Sequence, residues 1–268
     1  MLRSLDSGVS GMTTQMSFMD NLSNNIANVS TTGYKATRAR FADLIYQTMT
    51  TGSSGTSGGP GGTNPIQMGL GVRLAGTDNL MTQGAITETG NPFDLAIEGN
   101  GFFIVKDAAG ATHYTRNGAF ALDSAGNLVD PSTGDLVQGA GGNINIDMTK
   151  YVSVSIGPDG TINAVDNTGT VTKIDQLQLA TFPNEAGLIR IGDTMWDASP
   201  ASGAATTGNP QSKNFGTIRQ GALEESNVNL AQEFANMVKA ERGFEANAKV
   251  ITTSDAILST LVNIKAQP

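Results

Sequence analysis

Cysteine is absent from the 268-residue sequence, and histidine and tryptophan each occur once. Without thiols the chain can form no disulfide and no cysteine-ligated metal site, and it offers no thiol nucleophile. The missing cysteines leave the compartment open, because a cysteine-free chain is compatible with reducing and oxidising surroundings alike.

Charge is also sparse. Charged residues make up 15% of the sequence, and 24 acidic against 16 basic residues give a formal net charge of −8. The lysines and arginines form no cluster, so the chain lacks the electrostatic footprint of a protein that binds nucleic acid or an anionic membrane. We therefore expect no nucleic-acid partner.

Long hydrophobic runs are missing as well. No apolar stretch approaches the roughly 18 residues that read as a membrane span. The first 25 residues contain no apolar core of a secretory signal peptide. We expect no membrane insertion, and we expect any export to proceed without a cleaved signal peptide.

Motifs for catalysis are not found. His113 stands in a strand-like run, where a surface or turn role is more common than that of a general base or ligand. A literal G-x-S-x-G at residues 55–59 lies in low-complexity sequence instead of a strand-turn-helix setting. Zinc, phosphate-loop and calcium-loop motifs are lacking. These absences predict a protein that is not an enzyme and has neither cofactor nor metal.

A remote alternative is an enzymatic or carbohydrate-binding β domain with helical tails. That function would require clustered titratable groups around a concave polar site. The sequence offers one histidine and acidic residues scattered singly between turns.

Both ends of the chain have helical periodicity. Apolar residues at steps of four and three predict a helix over about residues 4–28, ended by the polar stretch up to Gly33. A second such pattern predicts a helix over roughly 229–265. The two apolar stripes contain Leu5, Val9, Met12, Met16 and Met19, and Leu230, Phe234, Met237, Phe244, Ile251, Leu258 and Val262. Periodicity alone is compatible with packing on the same chain or on a partner.

The middle of the chain reads as β structure. Short runs such as 93–105, 113–123 and 151–156 alternate with turn sequences rich in Gly, Asp and Asn. Residues 51–64 are rich in Gly, Ser and Thr and predict a flexible loop. We expect an antiparallel β domain, barrel-like or sandwich-like.

Together these patterns predict an α+β fold in which the terminal helices form a coiled coil and flank a central β domain. The expected divisions are a terminal helical domain from 1–33 and 226–268, a connecting segment 34–90, a β domain 91–198 and a return segment 199–225.

Residues 24–44, "NNIANVSTTGYKATRARFADL", resemble the N-terminal motif of the bacterial flagellar rod and hook protein family. That motif contains N-[IL]-A-N, a short Ser/Thr run, G-[FY]-K and an apolar F-x-D-L. Blocks at 94–105, 114–129, 181–196 and 221–263 are similar to further family blocks in the same order, so the resemblance covers nearly the whole chain.

The resemblance implies a structural subunit in the hook and basal body of the flagellum, forming a helical homo-oligomer that transmits torque. Its terminal helices would form an inner tube and its β domain an outer shell. Implied partners are the flagellar type III export apparatus and other axial proteins, namely the rod, the hook cap and the hook–filament junction. The C-terminal block favours a hook-type subunit, whereas "YQTMTTG" after the first motif resembles a distal rod subunit, which is the alternative.

The resemblance also suggests which residues contact neighbouring copies. The hypothesis is that polar residues at the end of the first helix hydrogen-bond to neighbours, while the Gly-Tyr-Lys segment turns the chain outward. The alternative is that the asparagines only terminate the helix. Besides the two stripes, the assembly residues are Asn24, Asn25, Ile26, Asn28, Gly33, Tyr34 and Lys35.

Overall fold

The computed structural model describes residues 2–54 and 61–265. The G-x-S-x-G sequence at 55–59 lies outside the described residues, as does the centre of the predicted flexible loop. Helix α1 spans Leu2–Ala27 and helix α2 spans Leu230–Lys265, which confirms the two terminal helices. Within the described ranges, no helix has both the length and the hydropathy of a membrane span.

The chain divides into two compact units, each built from separate segments. One, the helical unit, takes Met1–Ile26, Thr37–Asp78 and Leu230–Pro268. The other, the sheet unit, takes Ala27–Ala36 and Asn79–Asn229. Each unit therefore contains residues from both halves of the sequence.

The helices of the helical unit pack antiparallel through small residues. The hydroxyl oxygens of Ser4 and Ser254 are 3.2 Å apart. A Cβ added to Gly8 would lie 3.0 Å from Ile251, and one added to Gly11 would lie 2.6 Å from the Asn247 side chain. Because the first residue number rises as the second falls, the helices run in opposite directions.

This seam differs from the expected coiled coil, which is not confirmed. Val9 and Met16, which belong to the predicted apolar stripe, are each 51% exposed, whereas Gly8, Gly11 and Thr14 are buried. Glycine lets two helix backbones approach closely, so the residues on either side of it are displaced to the flanks of the contact.

The helical unit also contains two pairs of strands. Strand β1 (Thr37–Asp43) pairs with β4 (Val72–Asn79), and β2 (Tyr46–Thr50) forms an antiparallel hairpin with β3 (Ile66–Gly69). The Phe18 and Phe41 rings meet edge to face at 5.5 Å, which packs β1 against α1.

The sheet unit is antiparallel throughout its described pairings, and it confirms the predicted central antiparallel domain. Its largest sheet has the strand order β17-β18-β8-β7-β11-β10-β9, with β12, β16 and β19 attached; β13-β14-β15 form a separate sheet, and β20 pairs with β6 and β21 with β5. The strands are β5 (Ile86–Glu88), β6 (Leu95–Glu98), β7 (Phe102–Lys106), β8 (Thr112–Thr115), β9 (Ala121–Leu122), β10 (Leu128–Val129), β11 (Leu136–Gly139), β12 (Gly142–Asn143), β13 (Tyr151–Ile156), β14 (Thr161–Asp166), β15 (Val171–Gln176), β16 (Leu179–Thr181), β17 (Ile189–Gly192), β18 (Met195–Asp197), β19 (Thr206–Gly208), β20 (Thr217–Gln220) and β21 (Ala222–Glu224), with a 3-10 turn at Glu185–Gly187.

The core of this unit lies on both faces of β7. Phe103 and Val105 belong to one buried cluster, and Phe102 and Ile104 belong to a second one that includes Trp196. Successive side chains of a strand alternate between faces, so the apolar run "FFIV" serves two cores.

Candidate assembly site

The Gly-Tyr-Lys segment of the N-terminal motif is packed inside the sheet unit. Gly33 has φ +69, and a Cβ there would lie 2.5 Å from the backbone nitrogen of Asn117, so only glycine fits without strain. The Gly33 N–H donates to the carbonyl of Glu224 at 2.8 Å. This bond joins the chain leaving α1 to strand β21, which precedes α2.

Lys35 is 1% exposed and forms a buried ion pair. Its Nζ lies 2.6 Å from Oε1 of Glu224 and also donates to the carbonyl of Thr82. Arg116 Nη1 is 3.3 Å from the other carboxylate oxygen, Oε2, and the Gly84 N–H donates to Oε1 at 2.9 Å. One carboxylate thus balances two buried cations; we call Lys35, Arg116 and Glu224 the buried charge cluster.

Burial is the main influence on both cations. Desolvation lowers the pKa of Lys35, and Glu224 opposes that shift by its charge and hydrogen bond. Desolvation also lowers the pKa of Arg116, again against the attraction of Glu224. The cluster is stable as an ion pair only while the carboxylate is in place.

Arg190 holds Tyr34 against the sheet unit. Its Cζ is 4.9 Å from the Tyr34 ring centroid and 4.4 Å from that of Trp196. The guanidinium also donates to the carbonyl of Lys35 and to Oδ1 of Asn79. Tyr34 and Lys35 are consequently fixed within their own chain.

A cavity of about 330 Å³ adjoins this segment, lined in part by Asn28, Thr31, Arg190 and Asp193. The Arg190 guanidinium is held by its aromatic and backbone partners, and Asp193 is the one carboxylate among the residues found at the cavity wall. No group of three or more potential metal-ligating side chains occurs in the described part of the chain. The cavity does not offer the clustered titratable groups that the enzymatic alternative requires.

In the helical unit, Asn25 is bonded to its own chain. Its Nδ2 donates to the Thr37 carbonyl at 2.8 Å, and its Oδ1 accepts from the Thr37 N–H at 2.9 Å. Burial raises the pKa of Glu233, near the start of α2, while a hydrogen bond from Asn25 lowers it. Asn25 therefore ties the end of α1 to both β1 and the beginning of α2.

The predicted assembly residues fall into three groups by exposure. Asn25, Gly33, Tyr34 and Lys35 are buried. The half-buried ones are Leu5, Met12, Met19, Ile26, Asn28, Met237, Phe244, Ile251 and Leu258, and the exposed ones are Val9, Met16, Asn24, Leu230, Phe234 and Val262.

Further exposed apolar residues were not predicted. All but five of the exposed large hydrophobic side chains in the described residues belong to the helical unit. Those added by the structure are Phe41, Ile45, Tyr46, Met49, Ile66, Met68, Leu70, Leu74, Val238, Val250, Ile257, Leu261 and Ile264. Such a concentration is typical of a protein–protein contact surface.

The β2–β3 hairpin shows this most clearly. Every residue of both strands is exposed. A two-stranded hairpin alone is marginally stable in water, and exposed Tyr46, Met49, Ile66 and Met68 add an unfavourable apolar surface. Alternating apolar residues in "YQTMT" and "IQMG" were the available sequence signal.

We expect Glu224→Gln to destabilise the sheet unit strongly. The substitution leaves Lys35 and Arg116 buried without a counter-charge, and breaking a buried pair in this way costs about 3–5 kcal/mol. Denaturant unfolding of the purified chain measures the effect. Glu225→Gln is the matched control, because Glu225 is exposed and accepts only the Thr87 hydroxyl. Equal stability of the two variants would contradict the role assigned to the cluster.

Three family models match the chain. They are described as Flagella basal body rod protein, over residues 5–35, as Flagellar hook protein FlgE/F/G D1 domain, over residues 96–164, and as Flagellar basal body rod FlgEFG protein C-terminal, over residues 219–264. The first match contains the Gly-Tyr-Lys segment, and the third contains Glu224.

Whole-length relatives carry rod and hook names. Flagellar basal-body rod protein FlgG of Bacillus subtilis (strain 168) is 43% identical over 266 residues, covering 99% of this chain and 100% of that protein. In Borreliella burgdorferi, the protein of the same name is 37% identical over 273 residues and fully covered. Flagellar hook protein FlgE of that organism is 26% identical over 443 residues, covering 99% of this chain and 100% of the relative. The chain belongs to the flagellar rod and hook family of axial proteins.

Proposed function

We propose that this chain is the subunit of the distal rod of the bacterial flagellum. Copies assemble into a helical tube, and the tube transmits torque from the motor toward the filament. The observation that carries the proposal is the apolar surface of the helical unit, in a chain whose relatives along its whole length are basal-body rod proteins.

The expectation of a hook-type subunit is corrected by the relatives. Within one organism, Borreliella burgdorferi, the rod protein is 37% identical and the hook protein 26%. The alignment to the hook protein extends over 443 residues, so that protein contains long segments with no counterpart in these 268 residues. The C-terminal block that favoured the hook is shared across the family and does not distinguish its members.

Neighbouring copies would meet through the helical unit. On α2, Val250, Ile257, Leu261 and Ile264 are exposed at spacings of seven, four and three residues, so they lie along one side of the helix. Leu230, Phe234 and Val238 form a second exposed row. Two different apolar rows on one helix suit heterologous contacts, which generate open helical polymers.

The residues of the N-terminal motif would divide their work. Asn24 and Asn28 stand at the exposed or half-buried end of α1, where amides can bond to a neighbour without the desolvation cost of a charge. Gly33, Tyr34 and Lys35 act inside their own chain and set the course of the backbone between α1 and β1. We propose that their contribution to assembly is indirect.

The sheet unit would form the outer shell, and the exposed β2–β3 hairpin would be covered by neighbours. Partners of the proposed subunit are further copies, the adjoining axial proteins of rod and hook, and the flagellar type III export apparatus. Export would use no cleaved signal peptide. The proposed activity is mechanical and not enzymatic.

Deletion of the chain should give truncated rods. Electron microscopy of basal bodies from cells lacking it is the measurement, with complementation by the intact chain as the control. A complete rod without a hook would overturn the rod assignment. Intact flagella on motile cells would overturn the whole functional proposal.

Ile257→Asp should block polymerisation without unfolding the subunit. The side chain is 50% exposed in one copy, so the change costs that copy little, but it would bury a charge in a neighbour contact. We expect about tenfold fewer rods per cell or a larger loss. Thr252→Asp, at an exposed position of α2, carries the same charge as the control. Normal rod numbers with Ile257→Asp would remove this row from the interface.

A further inference from the structure

The sheet unit has few exposed large hydrophobic side chains, and all of them lie on or beside edge strands. Ile189 and Ile191 belong to β17, the end strand of the largest sheet. Val152 and Val171 belong to β13 and β15, the two outer strands of the three-stranded sheet, and Met148 precedes β13. Edge strands with exposed apolar residues are the usual places for further chains to attach.

The β17 edge presents two isoleucines and one carboxylate. Ile189 and Ile191 alternate with Arg190, whose guanidinium is engaged by the Tyr34 and Trp196 rings, so the isoleucines occupy the opposite, outward side of the strand. The strand ends in a turn where Asp193 and Thr194 have φ of 48 and 57. This left-handed geometry is that of a tight hairpin turn, and it holds the exposed Asp193 carboxylate at the end of the isoleucine row.

The three-stranded sheet presents valines and lysines. Val165 of β14 lies opposite both Ser153 and Val171, and a register shift places Val152 beside Ser153 without a partner of its own. Val152 and Val171 are therefore at the same level of the sheet. Lys150 and Lys173 are exposed near them; Lys150 also contacts Asp147 at 3.2 Å, an exposed pair that exchanges partners at little cost.

The two surfaces complement each other in chemistry. Each combines large apolar side chains with charge, negative through Asp193 on the β17 edge and positive through Lys150 and Lys173 on the three-stranded sheet. We infer that the β17 edge of one copy binds the β13–β15 sheet of a second copy in the assembled rod. The contact is heterologous, so it propagates from copy to copy without closing a dimer. This inference rests on the proposed function.

Cysteine crosslinking tests the contact directly, because the chain contains no cysteine of its own. Basal bodies carrying Ile191→Cys with Val171→Cys are treated with a short bismaleimide and separated on a denaturing gel. The expected result is a ladder of covalent multimers. Ile191→Cys alone should give none. Ile191→Cys with Ser124→Cys, an exposed position in another turn of the sheet unit, is the matched control and should also give none.

The outcomes separate the inference from the proposed function. If the cysteine-substituted chain is present in isolated basal bodies and no ladder forms, the inferred contact is wrong and the rod assignment stands. If the intact chain is not found in basal bodies at all, the proposed function itself is wrong.

Charge reversal provides a second test. Lys150→Glu with Lys173→Glu would place acids against Asp193, and we expect crosslinking through Ile191→Cys and Val171→Cys to fall at least about fivefold. Lys106→Glu, an exposed lysine elsewhere in the sheet unit, should leave the ladder unchanged. Undiminished crosslinking in the double reversal would overturn the electrostatic part of the contact.

Discussion

The carboxylate of Glu224 neutralises two buried cations that come from distant parts of the chain, and the sheet unit depends on this arrangement. Lys35 follows α1, Arg116 follows β8, and Glu224 ends β21, so one side chain joins the beginning, middle and end of the unit. Ionised groups enter a protein interior only when they are paired and hydrogen-bonded. The pairing with Glu224 therefore determines where the chain leaves α1 and where it returns toward α2.

The helical unit follows a different rule. Its internal contact uses glycine, serine and amide side chains, and its apolar residues stay largely on the outside. In a protein that acts alone this arrangement would be unfavourable, because exposed apolar surface is not removed from water. In a subunit of a polymer it separates two tasks: small residues define the pair of helices, and large residues remain available for neighbours.

Sequence reasoning recovered what depends on local patterns. The helices end within a few residues of their expected limits because periodicity and capping chemistry are local, and the antiparallel β domain was indicated by its turns. The seam could not be found in this way, since the heptad rule looks for apolar positions, while Gly8 and Gly11 read as weak helix formers. The partner of Lys35 was also hidden, because a pairing over 189 residues leaves no periodic signal.

The same long separations have a kinetic consequence. The contact between Ser4 and Ser254 spans 250 positions, and the pairing of Lys35 with Glu224 spans 189. Proteins dominated by such distant contacts fold slowly, because the entropy of closing large loops is lost before the contacts stabilise the structure. Neither unit can be completed from the first two hundred residues alone. A chain that emerges end first from a narrow channel, as the proposed export requires, would stay extended until almost its full length had emerged, and topology alone would delay its folding.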